Sequence, residues 1–263
     1  MQYKKGSDVL TYTVFYLLGI FVILFIIFPI LRLITLPSFN LILEALKDRS
    51  VIISIWNSIS LSFITAMFSL LFGVPLAFLM AKKKFSRFES LVETIVDLPL
   101  AIPHTVVGIA LLFVIGREGV IGSLFYREFG FKITGTSIAI ITAMLFVSLP
   151  YLIDNAREGF KNIDPDLEKV STVLGASLFS TFARVNLPLS KQSIASGFLL
   201  TWARAISEFG AVVILAYYPM TAPVKIYDAF TQYNLAVSTA IAAVLLVICL
   251  SIFLVLRVVI HKK

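Results

Sequence analysis

A chain of 263 residues that is 59% hydrophobic and only 14% charged, with a mean hydropathy of +0.97, lies outside the range of soluble domains and reads as an integral membrane protein. Its formal charge of +7 does not point to nucleic acid, because the basic residues fall between apolar runs and form no block interleaved with aromatics. The single cysteine, Cys249, excludes an intrachain disulfide and reads as a small packing residue.

The chain opens with Lys4 and Lys5 ahead of an apolar run at 12–36. That run is too long for a signal-peptide core and has no small-residue cleavage site, so it reads as a membrane anchor. The segment 37–50 is mildly amphipathic and predicts a short helix lying flat at the far interface. Further apolar segments follow at 51–81, 91–115, 135–152, 194–217 and 235–259. With the first they give about six spans, each long enough to cross about 30 Å as a helix. The expectation is an all-α, polytopic membrane protein with a single membrane domain over 1–263. Pro29, Pro75, Pro99, Pro103 and Pro150 interrupt the spans. The third, with Pro99 and Pro103 one turn apart, is the one expected to be broken or kinked. Ser58, Ser60, Ser62, Thr65 and Ser69 of the second span are expected to close hydrogen bonds within or between helices. The glycine-rich segment 116–134 reads as an irregular surface segment.

Lysine and arginine set the orientation. Lys4, Lys5, Lys82, Lys83, Lys84, Arg87 and the basic residues of 157–191 and 257–263 fall on one side, and Arg32, Lys47, Arg49, Arg117, Arg127, Lys132 and Lys225 on the other, fourteen against seven. The positive-inside rule then puts both termini in the cytoplasm, together with a loop at about 160–188.

Catalytic constellations are missing. No Gly-Lys dipeptide is present to make a Walker A loop, His104 and His261 cannot build a zinc-protease motif, and no GxSxG occurs. Arg204 and Glu208, four residues apart inside a span, can pair on one helix face, and Asp97 is expected to find a basic partner from another span, with Arg204 as the candidate. On the residues alone, an ion-driven secondary transporter or channel with Asp97, Arg204 and Glu208 as a charge relay stands as the rival to any ATP-driven reading.

The loop itself has strong local signals. Asp164 is a good N-cap, Pro165 suits the first helical position, and Asp166 and Glu168 place negative charge in the first turn. Leu167, Val170 and Leu174 share one helix face with Val173 beside them, and Gly175 fits the position just past the end. A second short helix is predicted from Ser177, carrying Leu178, Phe182 and Val185, until Pro188 resets the chain into the fifth span.

Gly175, nine residues, then Val185-Asn186-Leu187-Pro188 resembles the cytoplasmic EAA loop of ABC importer permeases. The Glu-Ala-Ala positions of that pattern hold Lys169, Val170 and Ser171, with Glu168 one place early. Val74-Pro75-Leu76-Ala77, Asp97-Leu98-Pro99, Ile102-Pro103-His104-Thr105-Val106-Val107-Gly108 and Trp202-Ala203-Arg204-Ala205-Ile206-Ser207-Glu208-Phe209-Gly210-Ala211 resemble permeases for molybdate, tungstate and sulfate. The run Ala216-Tyr217-Tyr218-Pro219-Met220 leans toward the molybdate/tungstate branch. The resemblance implies a permease subunit of an ATP-driven importer for a tetrahedral oxyanion, with sulfate, thiosulfate or another small solute as the alternative. It implies no cofactor in this chain, with ATP and magnesium bound by a partner ATPase. Two permease copies, two ATPase subunits and an extracytoplasmic binding protein would make up the assembly. The implied docking residues are Leu167, Glu168, Lys169, Val170, Leu174, Gly175, Ala176, Leu187 and Pro188. His104, Thr105, Arg204, Ser207 and Glu208 are the candidate translocation pathway, with Arg204 offering positive potential to a dianion.

Overall fold

The computed structural model describes residues 2–232 and 235–261, and every regular element among them is helical. In chain order these are α1 (Gln2–Thr35), α2 (Phe39–Lys47), α3 (Arg49–Ala81), α4 (Glu89–Ala101), α5 (His104–Ile115), α6 (Val120–Phe129) and α7 (Ser137–Lys161). Then come α8 (Pro165–Val173), α9 (Leu178–Thr181), α10 (Leu187–Ile206), α11 (Gly210–Leu215), α12 (Ala222–Gln232) and α13 (Leu235–His261).

Among the described residues, four helices are each long and apolar enough to cross a membrane: Asp8–Thr35 within α1, all of α3, all of α7, and Leu235–Leu254 within α13. The third apolar segment is α4 plus α5, bent by 113° at a short break, as the proline pair predicts. The break falls at Ile102-Pro103, where Ile102 is extended as a residue before proline prefers, while Pro99 is carried inside α4. The fifth segment differs from the expected single span. It divides into α10 and α11 because the chain leaves the helix at Ser207 and restarts at Gly210. Pro75 and Pro150 lie within α3 and α7 without ending either.

The centre of the molecule is the trio α3, α7 and α10. Lipid is as apolar as leucine, so helices in a bilayer associate by close packing of small residues and by hydrogen bonds across the seam. Three glycines make the approach possible. A Cβ on Gly159 would lie 2.6 Å from Cβ of Ser193, one on Gly197 would lie 2.9 Å from Cβ of Asn155, and one on Gly73 would lie 3.1 Å from a methyl of Leu152. Leu152, Ile153, Ala156 and Phe160 of α7 fill the seam against Val74, Ala77 and Met80 of α3. The polar face of α3 behaves as its sequence predicts. Ser62 Oγ accepts from Trp202 Nε1 at 2.8 Å and Ser58 Oγ from the Ala222 amide at 2.7 Å, while Thr65 and Ser69 bond back to their own helix.

The ends are finished by shorter helices. α2 forms where the amphipathic segment predicts it, capped by Ser38 and packed through Ala45 into a cluster with α3, α12 and α13. The segment 116–134 is not irregular as its glycines suggest: it contains α6, closed by a left-handed Gly130. Its glycines serve close approach, since a Cβ on Gly122 would lie 2.0 Å from the Gly116 carbonyl oxygen. None of the apolar window of α1 is buried within the chain, and α1 packs on α13.

Gly159→Leu is expected to force α7 and α10 apart, at the overpacking cost of about 1–3 kcal/mol. Thermal unfolding of the detergent-solubilised chain should then begin about 5 °C lower. Gly19→Leu, where nothing lies within 4 Å of the added Cβ, should leave the transition in place.

Candidate functional site

Two places in this fold gather the chemistry-bearing residues. The first is the corner formed by α8 and α9. Asp164 caps α8 by accepting from the Asp166 amide at 2.9 Å, with Pro165 in the first turn. The helix ends where Gly175 takes φ +81°, a conformation side-chain-bearing residues rarely adopt. The closing bonds run from the Gly175 amide to the Thr172 carbonyl at 2.9 Å and from the Ala176 amide to the Ser171 carbonyl at 3.1 Å. Ser177 then caps α9.

The apolar side chains of this corner point away from the rest of the chain. Val173 is 86% exposed, Leu174 81% and Phe179 77%, with Val170, Leu178 and Leu167 also exposed. Contiguous exposed apolar patches of this kind are a mark of interaction surfaces. Nothing lies within 4 Å of where a Gly175 side chain would begin, so the bend faces open space.

The inner side of the corner is polar and tied down. Glu168 pairs with Lys82, at the end of α3, and accepts a hydrogen bond from Asn186 Nδ2. Ser171 and Thr181 hydroxyls bond at 2.9 Å across the two limbs. Lys169 turns to solvent and pairs with Asp166 at 2.7 Å. Leu187 and Pro188 lie at the foot of the corner, not its tip. Pro188 does not reset the chain as expected. A π-helical turn over Phe182–Asn186 runs unbroken from α9 into α10, with the Leu187 amide reaching the Phe182 carbonyl. Pro188 falls in the first turn of α10, a place that tolerates a residue without an amide hydrogen, and the wide turn leads the chain into it.

The second place is where the two broken spans meet. His104 opens α5, Arg204 is in the last turn of α10, and Glu208 sits in the break before α11. Glu208 is 1% exposed. Its Oε2 accepts from Arg204 Nη2 at 2.9 Å and lies 3.0 Å from His104 Nδ1; its Oε1 accepts from the Ala211 amide at 2.9 Å. Arg204 Nη2 is 2.7 Å from both ring nitrogens of His104. A Cβ on Gly210 would lie 2.8 Å from Cβ of His104, so only glycine lets the broken spans touch here.

The structure therefore brings His104, Arg204 and Glu208 together. Ser207 joins them through its own helix, its hydroxyl donating to the Arg204 carbonyl at 3.0 Å, and Thr105 is exposed beside them. Asp97 is not the partner of Arg204: it stands beside Asp154 of α7, a like charge. Because the Arg204 charge is met by Glu208, the cluster offers polarity without a free cation. An adjoining cavity of about 410 Å³ is lined by apolar groups such as Leu199, Trp202, Ile206, Leu245 and Cys249. It supplies no donor set for a dianion. Lys82 and Asn186 were not singled out from the sequence. Lys82 is one of three consecutive lysines that read as topology, and Asn186 occupies the variable place before Leu187-Pro188.

A family model described as "Binding-protein-dependent transport system inner membrane component" matches residues 73–263. The molybdate/tungstate transport system permease protein WtpB of Pyrococcus abyssi is 43% identical over 259 residues, covering 98% of this chain and 98% of that one. The protein of the same name from Methanocaldococcus jannaschii is 36% identical over 238 residues, covering 90% of this chain and 92% of that one. Among solved structures, a bacterial ABC transporter involved in the import of the acidic polysaccharide alginate matches with a TM-score of 0.73 at 20% identity, covering 98% of each chain. That likeness bears on the fold.

Replacing Glu208 by alanine removes the acceptor of three donors and leaves Arg204 without its counter-charge. The expected loss is about 3 kcal/mol of stability, read as a lower unfolding midpoint in detergent. Thr105→Ala, at an exposed position, should change it by less than about 0.5 kcal/mol.

Proposed function

The chain belongs to the binding-protein-dependent transport system inner membrane component family, and from that premise we propose that it is the permease subunit of an ATP-driven importer for molybdate or tungstate. The observation that carries this reading is the 43% identity, along almost the whole of both chains, to a permease of that name. The chain is a multi-pass membrane protein and a transport subunit, not an enzyme. A separate ATPase pair binds ATP and magnesium and supplies the hydrolysis.

The exposed corner at Val173, Leu174 and Phe179 supports a docking role for residues 164–188, in which a groove of the ATPase covers the apolar tip. The excess of lysine and arginine on the side of this loop supports a cytoplasmic location for it and for both termini. A second copy of the chain completes the pathway, and an extracytoplasmic binding protein selects the oxyanion. ATP closure brings the paired corners together and biases the membrane helices between two access states.

The charge cluster fits this work. A pathway that gripped a dianion with an unneutralised arginine would hold it, whereas a weak site lets it leave. Arg204, held by Glu208, presents hydrogen-bond donors at low net charge, with His104 and Ser207 at its sides.

The reading is tested by reconstituting the chain with its ATPase and binding protein in liposomes and following labelled molybdate and tungstate. Uptake is expected to require ATP, with sulfate a poor competitor; uptake without ATP would refute it, and preference for sulfate would move the substrate. In the same vesicles Arg204→Ala should lower uptake at least about tenfold while the complex still assembles. Gly175→Trp, which puts a bulky group at the exposed bend, should abolish stimulation of ATP hydrolysis by the binding protein.

A further inference from the structure

The loop 164–188 is joined by the backbone to α7 and α10 alone, yet it is fastened as firmly to α3, which it meets only through space. Glu168 is the fastener. Its carboxylate pairs with Lys82 Nζ at the C-terminal cap of α3 and accepts from Asn186 Nδ2 in the π-helical turn. The pair is sheltered, with Lys82 18% and Glu168 25% exposed at the side chain. The Lys169–Asp166 pair on the outer side, by contrast, is 74% exposed at both partners. Solvated pairs of that kind hold little, whereas a part-buried carboxylate with two charge-assisted or amide donors fixes a geometry.

An aromatic contact beneath repeats the connection. Phe182 of the π-helical turn packs edge-on against Phe78 of α3 with ring centres 4.9 Å apart, and Phe78 packs on Phe160 of α7 at 5.4 Å. Lys82 Nζ lies 5.9 Å from the Phe78 ring centre, so the ion pair sits over this aromatic group. The Glu168–Lys82 ion pair and the Phe182–Phe78 contact thus both tie the corner to an element that the chain path does not reach.

We propose that Glu168 is the positioning residue of the docking loop: through Lys82 and Asn186 it locks α8 to α3 and to the head of α10, so that displacement of the corner moves α3, α7 and α10 as one body. This rests on the reading of 164–188 as the ATPase-docking loop. It gives Glu168 an inward, force-transmitting role in place of contact with the ATPase. Asn186 suits the arrangement, being fully buried with its Oδ1 unpartnered. A lysine placed at 168 would find an acceptor there, which makes a charge exchange feasible.

The experiment uses the reconstituted transporter and reads labelled oxyanion taken up per ATP hydrolysed, with co-purification of the ATPase as the check on assembly. Glu168→Gln and Lys82→Met are each expected to lower this ratio about tenfold. Lys82→Arg should stay near wild type, and the exchange of Glu168→Lys with Lys82→Glu should recover most of the loss. Wild-type coupling in both single variants would overturn the proposal, as would an exchanged variant that assembles but couples no better than the singles. A wild-type complex whose ATP hydrolysis drives no oxyanion uptake would overturn the underlying reading instead, and the two failures are distinct.

Discussion

Everything else in this molecule depends on the closeness of α3, α7 and α10. Water gives no hydrophobic drive between helices inside a bilayer, so a stable body there has to be built from van der Waals contact and hydrogen bonds. Gly73, Gly159 and Gly197 remove the side chains that would hold the helices apart, and Ser62, Ser148, Thr201 and Trp202 close bonds across the seams. The trio is consequently a stiff block, and the functional features are mounted on its outside. The exposed corner of α8 and α9 stands at one end, the broken spans lean on its flank, and α2, α12 and α13 finish the other end.

The two breaks shelter each other. An interrupted helix leaves backbone donors and acceptors that lipid cannot satisfy, and such interruptions persist where protein groups replace water. Glu208 does this for α11 by accepting from the Ala211 amide, while its other oxygen meets Arg204 and His104 from the neighbouring break. One buried carboxylate therefore satisfies a helix start, neutralises an intramembrane arginine and holds two discontinuous spans in register. The charges at this break are spent on one another.

Much of this was legible in the residues, because the signals were local. Asp164, Pro165 and Gly175 define α8 and its end by capping chemistry and a positive φ, and Pro99 with Pro103 announces the bend in the third span. The failures were tertiary. Gly210 reads as an ordinary member of a span, and Glu208 as the partner of Arg204 within it, because the reason for the break, contact with His104 a hundred residues earlier, has no local trace. Pro188 reads as a stop, yet it falls in the first turn of α10, into which the wide turn over Phe182–Asn186 leads. The glycines of 116–134 read as looseness, whereas Gly122 is there so that α6 can close on the end of α5. Glu168 looked like a motif residue one position out of place; only its neighbours reveal that it faces Lys82.

The unbroken run from α9 through the π-helical turn into α10 has a mechanical consequence. α10 rises about 30 Å over its length at 1.5 Å per residue, and it reaches from the exposed corner to Arg204 without a joint. A tilt of about 10° at the foot of a rod about 30 Å long swings the far end by about 5 Å, roughly one helical turn's rise. Bolted to α3 and α7 along the glycine seams, the rod cannot dissipate that swing by bending. About 10° of rocking at the loop would thereby become a side-chain-sized displacement beside the Arg204–Glu208 pair.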